Sequence, residues 1–396
     1  MQEQREYREE ARIWTKSFIS LSLTQLLIFT IFYTLLTTLP IYVITSLEES
    51  ESKAGLVVTF MLLAAILIRP FSAKLIDILG KKQTLFYSVL LYFLTTVSYV
   101  FLPSFTWLVV IRFIHGLSFG IVTTVMGAIV ANIIPASRRG EGMGYFAMSM
   151  NLAVVIGPFI GLFFLQYVSF QWLFIVLSLL MAFGLMFTFF VDTGERGKKR
   201  EASFTSLRLD DLFDRKALPI ALLSGLVGFS YGSILSFVPV YAESLQLEVF
   251  ASYFFLLFAL LMIVSRPYVG RLFDEKGSYV VLLPSLLLFA LGLALLSWTK
   301  TGGMLLLSAG VLGLGYGSIL PGFQTIAVQR AGFSRTSQAM STFFTFYDVG
   351  IGLGAFIWGL VSFHYGFPVM YLISAILVVV TAFFFHLVER DSRKKS

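Results

Sequence analysis

A short stretch occurs twice in this chain, each time at the end of a long apolar run. Arg69-Pro-Phe-Ser-Ala-Lys-Leu-Ile-Asp77-Ile-Leu-Gly80 is echoed by Arg266-Pro-Tyr-Val-Gly-Arg-Leu-Phe-Asp274-Glu-Lys-Gly277. The offset is constant, 266 − 69 = 274 − 77 = 197. The same offset relates Gly116-Leu-Ser-Phe-Gly120 to Gly313-Leu-Gly-Tyr-Gly317. It also relates Asn151 and Gly157-Pro158 to Asp348 and Gly354-Ala355. The chain is two copies of one unit, and each unit is almost entirely hydrophobic. That combination points to a duplicated membrane bundle rather than a solenoid.

Composition supports lipid as the solvent. Apolar residues make up 57% of the chain and charged residues 13%, with 42 Phe; soluble domains average ~45–50% and ~25%. Too few charges remain to cover a soluble surface. There is no cysteine, which excludes disulfides, zinc thiolates and iron–sulfur clusters. The net charge of +7 raises the question of nucleic acid, but its placement answers otherwise.

Twelve spans are expected, at 18–44, 54–74, 84–102, 106–131, 142–166, 171–192, 217–241, 251–270, 279–298, 303–328, 338–363 and 368–387. Most meet the ~20 residues needed to cross a bilayer, and runs of this length must be helices. The fold expected is therefore an all-α polytopic membrane protein with two pseudo-symmetric six-helix bundles. Residues 1–192 form the first bundle with its tail, 193–216 a linker, and 217–396 the second bundle with its tail. An amphipathic helix over 204–215 and a disordered tether both fit the linker. With Arg69, Arg112 and Arg266 assigned to helices, 24 of the Lys and Arg fall on one side and only Lys53 and Lys300 on the other. This asymmetry places both termini in the cytoplasm, as an even number of spans requires. The first span follows a charged tail and is too long for a signal peptide, so it is expected to remain.

In its Arg69–Lys82 stretch, Arg112 and Gly157-Pro158, the chain resembles a major facilitator superfamily transporter, most closely the bacterial twelve-helix drug–proton antiporter branch. The family signature after the second helix is glycine, three residues, aspartate, a basic residue, any residue, glycine and two basics. Here it reads Ala73 to Lys82, with Ala73 for the first glycine and Ile78 for the basic residue. The second copy keeps Gly270, Asp274 and Gly277. Gly80 permits a tight turn, and Asp77 is suited to accept hydrogen bonds from a helix N-terminus. The gate set is thus Arg69, Asp77, Gly80, Lys81, Arg266, Gly270, Asp274 and Gly277; an ordinary charged cap at the membrane face is the alternative.

Within the spans, Arg112 and His115 lie one turn apart on one helix face. The resemblance puts arginine at the first of these positions and usually glutamine at the second. A membrane arginine pairs, lines a wet cavity or snorkels to the interface. Histidine is the side chain that ordinarily titrates near neutral pH, and a neutral hydrogen-bonding role is equally open. Asp348 is the one acidic residue near the middle of any span; it is a proton-carrier candidate or a structural polar lock. Residues 18–44 lack the acidic residue that many drug–proton antiporters carry. Gly157, Pro158 and Gly161 resemble the exporter signature centred on glycine-proline. Pro158 bends a helix, and the two glycines form a close-packing face.

The family architecture implies a central cavity lined by the first, fourth, seventh and tenth helices. Its candidates are Gln25, Tyr33, Thr34, Thr37, Thr123, Tyr231, Ser233, Phe237, Tyr316, Ser318 and Gln324, with Asn151 on the fifth helix. Aromatic and hydroxyl linings suit amphipathic organic molecules. The leading function is proton-coupled export of such compounds by alternating access. A dedicated exporter of an endogenous metabolite, such as a siderophore or metallophore, is the second reading; a non-transporting membrane sensor is the third. No phosphate loop, metal cluster or nucleophile with its base points to an enzyme. The expected partners are a small amphipathic substrate, membrane lipid and protons as the coupling ion, with no cofactor, metal or nucleic acid. One chain contains both halves, so a functional monomer is expected, in the bacterial cell membrane.

Overall fold

The structure, a computed structural model, describes residues 12–102, 104–193 and 209–393. All regular secondary structure among them is helical. The first six long helices are α1 (Lys16–Thr45), α2 (Glu51–Leu79), α3 (Lys81–Ser98), α4 (Phe105–Ile133), α5 (Arg139–Leu165) and α6 (Phe170–Thr188). They are followed by α7 (Leu218–Ser244), α8 (Glu248–Lys276), α9 (Ser278–Ser297) and α10 (Gly302–Ala331). A last element, Thr336–Arg393, is broken at Gly366, where φ is 82°. It comprises α11 (336–365) and α12 (367–393), which restores the twelve expected spans. The fold is all-α, with two pseudo-symmetric helix bundles, in a multi-pass membrane protein. Of the helix expected over 204–215, residues 204–208 lie outside the described residues, and one helical turn covers Leu209–Leu212. The basic residues at 1–11, 194–208 and 394–396 also lie outside them.

Turn chemistry fixes the connections. Gly80 joins α2 to α3 and Gly277 joins α8 to α9, with φ of 83° and 86°. This left-handed conformation is strained for any residue with a Cβ, so a one-residue connection demands glycine. At the start of α1, Thr15 accepts a hydrogen bond from the Phe18 amide at 3.2 Å, an ordinary N-cap.

The helices group into two units. One comprises Met1–Pro135, Ser149–Phe213 and Arg335–Ser341; the other comprises Ala136–Met148, Asp214–Ser334 and Thr342–Ser396. Each unit thus takes in the beginning of a helix that the sequence places in the opposite half: the start of α5 in one case, the start of α11 in the other. In the first unit α2 packs along α4, and α3 along α4 and α6. In the second, α10 packs along both α8 and α9. Close approach of backbones recurs in both. A Cβ on Gly157 would lie 2.9 Å from the Thr30 carbonyl oxygen, and one on Gly354 would lie 2.3 Å from that of Phe229. Outward faces carry large apolar side chains, among them Phe363, Tyr268 and Trp172, as lipid contact requires.

Candidate functional site

Both sequence-identified aspartates sit at helix ends and meet the start of a helix. In the second unit, Asp274 Oδ1 accepts the Gly140 amide at 2.7 Å and Oδ2 accepts the Glu141 amide at 2.8 Å. These are free donors of the first turn of α5, and a carboxylate there also meets the positive end of the helix dipole. Gly270 allows the approach, since a Cβ there would lie 2.8 Å from Glu141 Cα. Glu141 in turn binds Arg138 at 2.7 Å and Arg271 at 3.2 Å. In the first unit, Asp77 Oδ2 accepts from Gln338 Nε2 at 2.5 Å, near the start of α11. Gln338 is Glu141 shifted by 197, so equivalent positions meet in both units, Asp274 through backbone amides and Asp77 through the Gln338 side-chain amide. Ser341 Oγ donates to the Arg69 carbonyl at 2.7 Å, while the Arg69 guanidinium donates to Thr123 Oγ1 at 2.9 Å. Lys81 is buried at the first turn of α3.

Arg112 and His115 lie fully inside the first unit. Arg112 Nε donates to the Val57 carbonyl of α2 at 3.1 Å. His115 Nδ1 shares a hydrogen bond with the Tyr99 hydroxyl at 2.9 Å. The Tyr92 ring stands edge-on to the imidazole, 4.0 Å between centroids. His115 Nε2 has no hydrogen-bond partner among the described residues, and the Arg112 guanidinium faces the Tyr99 hydroxyl. The guanidinium remains charged, so the cluster sets a fixed positive charge one helical turn from an imidazole that hydrogen-bonds a buried tyrosine.

The remaining candidates divide by what their polar atoms do. Thr34 donates to the Gly157 carbonyl at 2.8 Å, Thr123 to that of Phe119 at 2.8 Å and Ser233 to that of Ser230 at 2.7 Å. Thr37 likewise donates to Thr34 at 2.9 Å, and Gln25 Nε2 donates to Ser149 Oγ at 2.9 Å. These donors are occupied within their own unit. Asn151 Nδ2 and Ser318 Oγ are buried without a partner among the described residues, and Gln324 is buried. Tyr33 stands against Phe32 and Phe29, at 5.0 and 6.3 Å. Tyr231 stacks on Tyr316 at 4.3 Å, and the Tyr316 hydroxyl bonds that of Tyr347. Phe237 faces Phe367 at 6.4 Å. Asp348 is half-buried on α11, next to Tyr347. Pro158 lies inside α5, and Gly161 faces Thr38 and Thr34. Tyr92, Tyr99, Glu141, Gln338 and Tyr347 complete these clusters and were not singled out from sequence. The 197-residue offset was the signal available for Glu141 and Gln338.

The sequence matches the Major Facilitator Superfamily over residues 21–353 and again over 276–396. The chain belongs to this superfamily. An uncharacterized MFS-type transporter of Methanocaldococcus jannaschii is 24% identical over 353 residues, spanning 87% of this chain and 91% of the relative. Multidrug resistance protein MdtG of Klebsiella pneumoniae is 24% identical over 367 residues, spanning 87% of each chain. Quinolone resistance protein NorA of Staphylococcus aureus is 30% identical over 123 residues, 31% of each chain. Among solved structures, the human organic anion transporter TETRAN superposes with a TM-score of 0.82 at 17% identity, covering 93% of this chain and 98% of its own. The proton:xylose symporter XylE gives 0.76 at 12% identity, covering 93% and 94%. The superfamily member described here is a transport protein rather than an enzyme, and it moves small organic molecules by alternating access.

Proposed function

We propose that this chain exports amphipathic organic compounds in exchange for protons, acting as a monomer with both termini in the cytoplasm. The observation that carries the reading is its end-to-end similarity to a multidrug resistance protein, 87% of each chain, joined to the Gly157-Pro158 pair inside α5. In this reading residues 1–192 and 217–396 work as two bundles joined by 193–216. The aspartate clamps at Asp77 and Asp274 are the cytoplasmic gate, with Arg69, Gly80, Lys81, Arg266, Gly270 and Gly277 shaping it. Tyr33, Tyr231 and Tyr316 supply the polar-tipped aromatic surface, and Phe237 the wholly apolar one, that amphipathic cargo needs. Asp348 carries the proton, and Arg112 with His115 sets the field in the first half.

The proton step tests the reading most directly. Wild type, Asp348→Asn and His115→Gln are reconstituted in liposomes, a pH gradient is imposed, and cargo-dependent proton flux is recorded with a lipophilic dye as cargo. The expected result is lost flux in Asp348→Asn with dye binding retained. Normal coupled flux in that variant refutes the carboxylate's role, and loss in His115→Gln alone transfers the role to the imidazole. Flux independent of the dye in wild type refutes proton-coupled export itself.

A further inference from the structure

The duplicated arginine meets two different environments. Arg69 gives its guanidinium protons to Thr123 and Thr124, at 2.9 and 3.4 Å. Shifting by 197 turns these threonines into Leu320 and Pro321, which offer no hydroxyl. Ser341, which bonds the Arg69 backbone, becomes Gly144; Ile121 and Val125 become Ser318 and Gly322. The second copy has thus replaced both hydroxyl partners with apolar residues, and Ile121, Val125 and Ser341 with smaller ones. What remains is a small cleft lined by Arg266, Ser318, Gly144, Gly270, Pro321 and Gly322, among others. Arg266 is 4% exposed and its Nε and Nη1 have no partner among the described residues. Ser318, also 4% exposed, has its hydroxyl unpartnered. The carboxylates of Asp274 and Glu141 are engaged elsewhere: Asp274 by the Gly140 and Glu141 amides, and Glu141 by Arg138 and Arg271.

A guanidinium does not shed its proton to escape burial. A buried charge requires an opposite charge or several hydrogen bonds to compensate its lost hydration. Five donors in a rigid planar group match an oxyanion better than water. We infer that this cleft binds a small oxyanion, held by the Arg266 guanidinium and the Ser318 hydroxyl. Inorganic phosphate and a lipid phosphate present the same chemistry. The site is separate from the proposed cargo and proton residues apart from Ser318, and does not depend on what the protein exports.

The test uses the full chain in nanodiscs of neutral phosphatidylcholine. Thermal unfolding is followed while potassium phosphate replaces potassium chloride at constant ionic strength. A bound oxyanion raises the midpoint in a saturable way. The rise is expected in wild type and lost in Arg266→Gln. Gly144→Ser keeps the arginine and restores the residue type of the first copy; its new Cβ would sit 3.8 Å from Arg266 Cδ, an ordinary contact. It is therefore expected to fold and to lose the shift through filling alone. Repeating the titration in phosphatidylglycerol nanodiscs separates the sources. If a lipid phosphate occupies the cleft, wild type starts higher there, phosphate adds nothing, and both variants lack the lipid-dependent rise. If free anion is the ligand, the phosphate shift persists. Equal phosphate responses in wild type and both variants, or no rise in wild type with either phosphate or anionic lipid, overturn the inference.

Discussion

Asp274→Asn isolates what the charged clamp contributes. The carboxylate accepts two amides, at 2.7 and 2.8 Å. An asparagine of the same shape keeps one acceptor and turns a donor toward the second amide. The change removes a charge-assisted bond of about 1.5–3 kcal/mol and a helix-terminus interaction of about 0.3–1 kcal/mol. Asp274 is only half-buried, so the lower part of the combined range, roughly 2–3 kcal/mol, is the fair figure. At 1.4 kcal/mol per decade, the clamp's opening equilibrium should rise roughly 30- to 150-fold. Ser318 reports on that opening because it lines the cleft that Gly140 and Gly144 of α5 also line. The chain has no cysteine, so Ser318→Cys introduces one buried thiol. Its alkylation by N-ethylmaleimide tracks the open population when closing is fast. Faster labelling in the Asp274→Asn background, by at least tenfold, is expected. Rates within twofold of each other would refute the claim that these two bonds hold the start of α5.

Two further outcomes follow from packing. Gly350→Ala places a Cβ 2.1 Å from the Gly225 carbonyl oxygen, so it should lower the unfolding midpoint by an amount equivalent to at least ~1–3 kcal/mol. Gly303→Ala, with nothing within 4 Å, should leave the midpoint unchanged or slightly raised in the same detergent melt. Tyr33→Ala and Tyr231→Ala should change dye affinity in binding titrations on folded protein. Tyr316→Ala should in addition lower stability, because Tyr316 also bonds Tyr347; unchanged affinity in all three removes them from the cargo site.

The helical bundle was legible because its signals are long and redundant. Twelve apolar spans and a repeat that places Asp77 and Asp274 at equal positions leave few alternatives. The last span boundary was legible too, through the break that the structure realises at Gly366. Polar partnerships were harder to read. Thr123 looks like a cavity hydroxyl by its helix assignment, yet it holds Arg69, a pairing between residues on α2 and α4. His115 reveals nothing in sequence of Tyr99, 16 residues earlier, which bonds its ring. An apolar pattern specifies which face is buried but not which of many hydroxyls meets which donor. Comparing the two copies position by position recovers part of this, as Gln338 and Glu141 illustrate, because equivalent backbone sites inherit equivalent neighbours.

The glycine contacts of α5 and α11 have a mechanical consequence. At Gly350 and Gly354 of α11 the opposing surface is a backbone carbonyl, from Gly225 and Phe229 on α7, whereas a Cβ on Gly157 of α5 would first meet the Tyr33 Cβ of α1, at 2.7 Å. Interdigitated side chains act as teeth, and moving one helix along another then requires rotamer changes at every step. Backbone against backbone has no teeth at the two α11 points. There α11 can shift along α7 by a fraction of a turn with few side chains obliged to repack, which is the geometry that shear motion uses. The first copy is keyed instead, since Thr34 of α1 donates to the Gly157 carbonyl at 2.8 Å and Thr38 and Thr34 crowd Gly161, so the duplication keeps a place to lock in one half and a place to slide in the other.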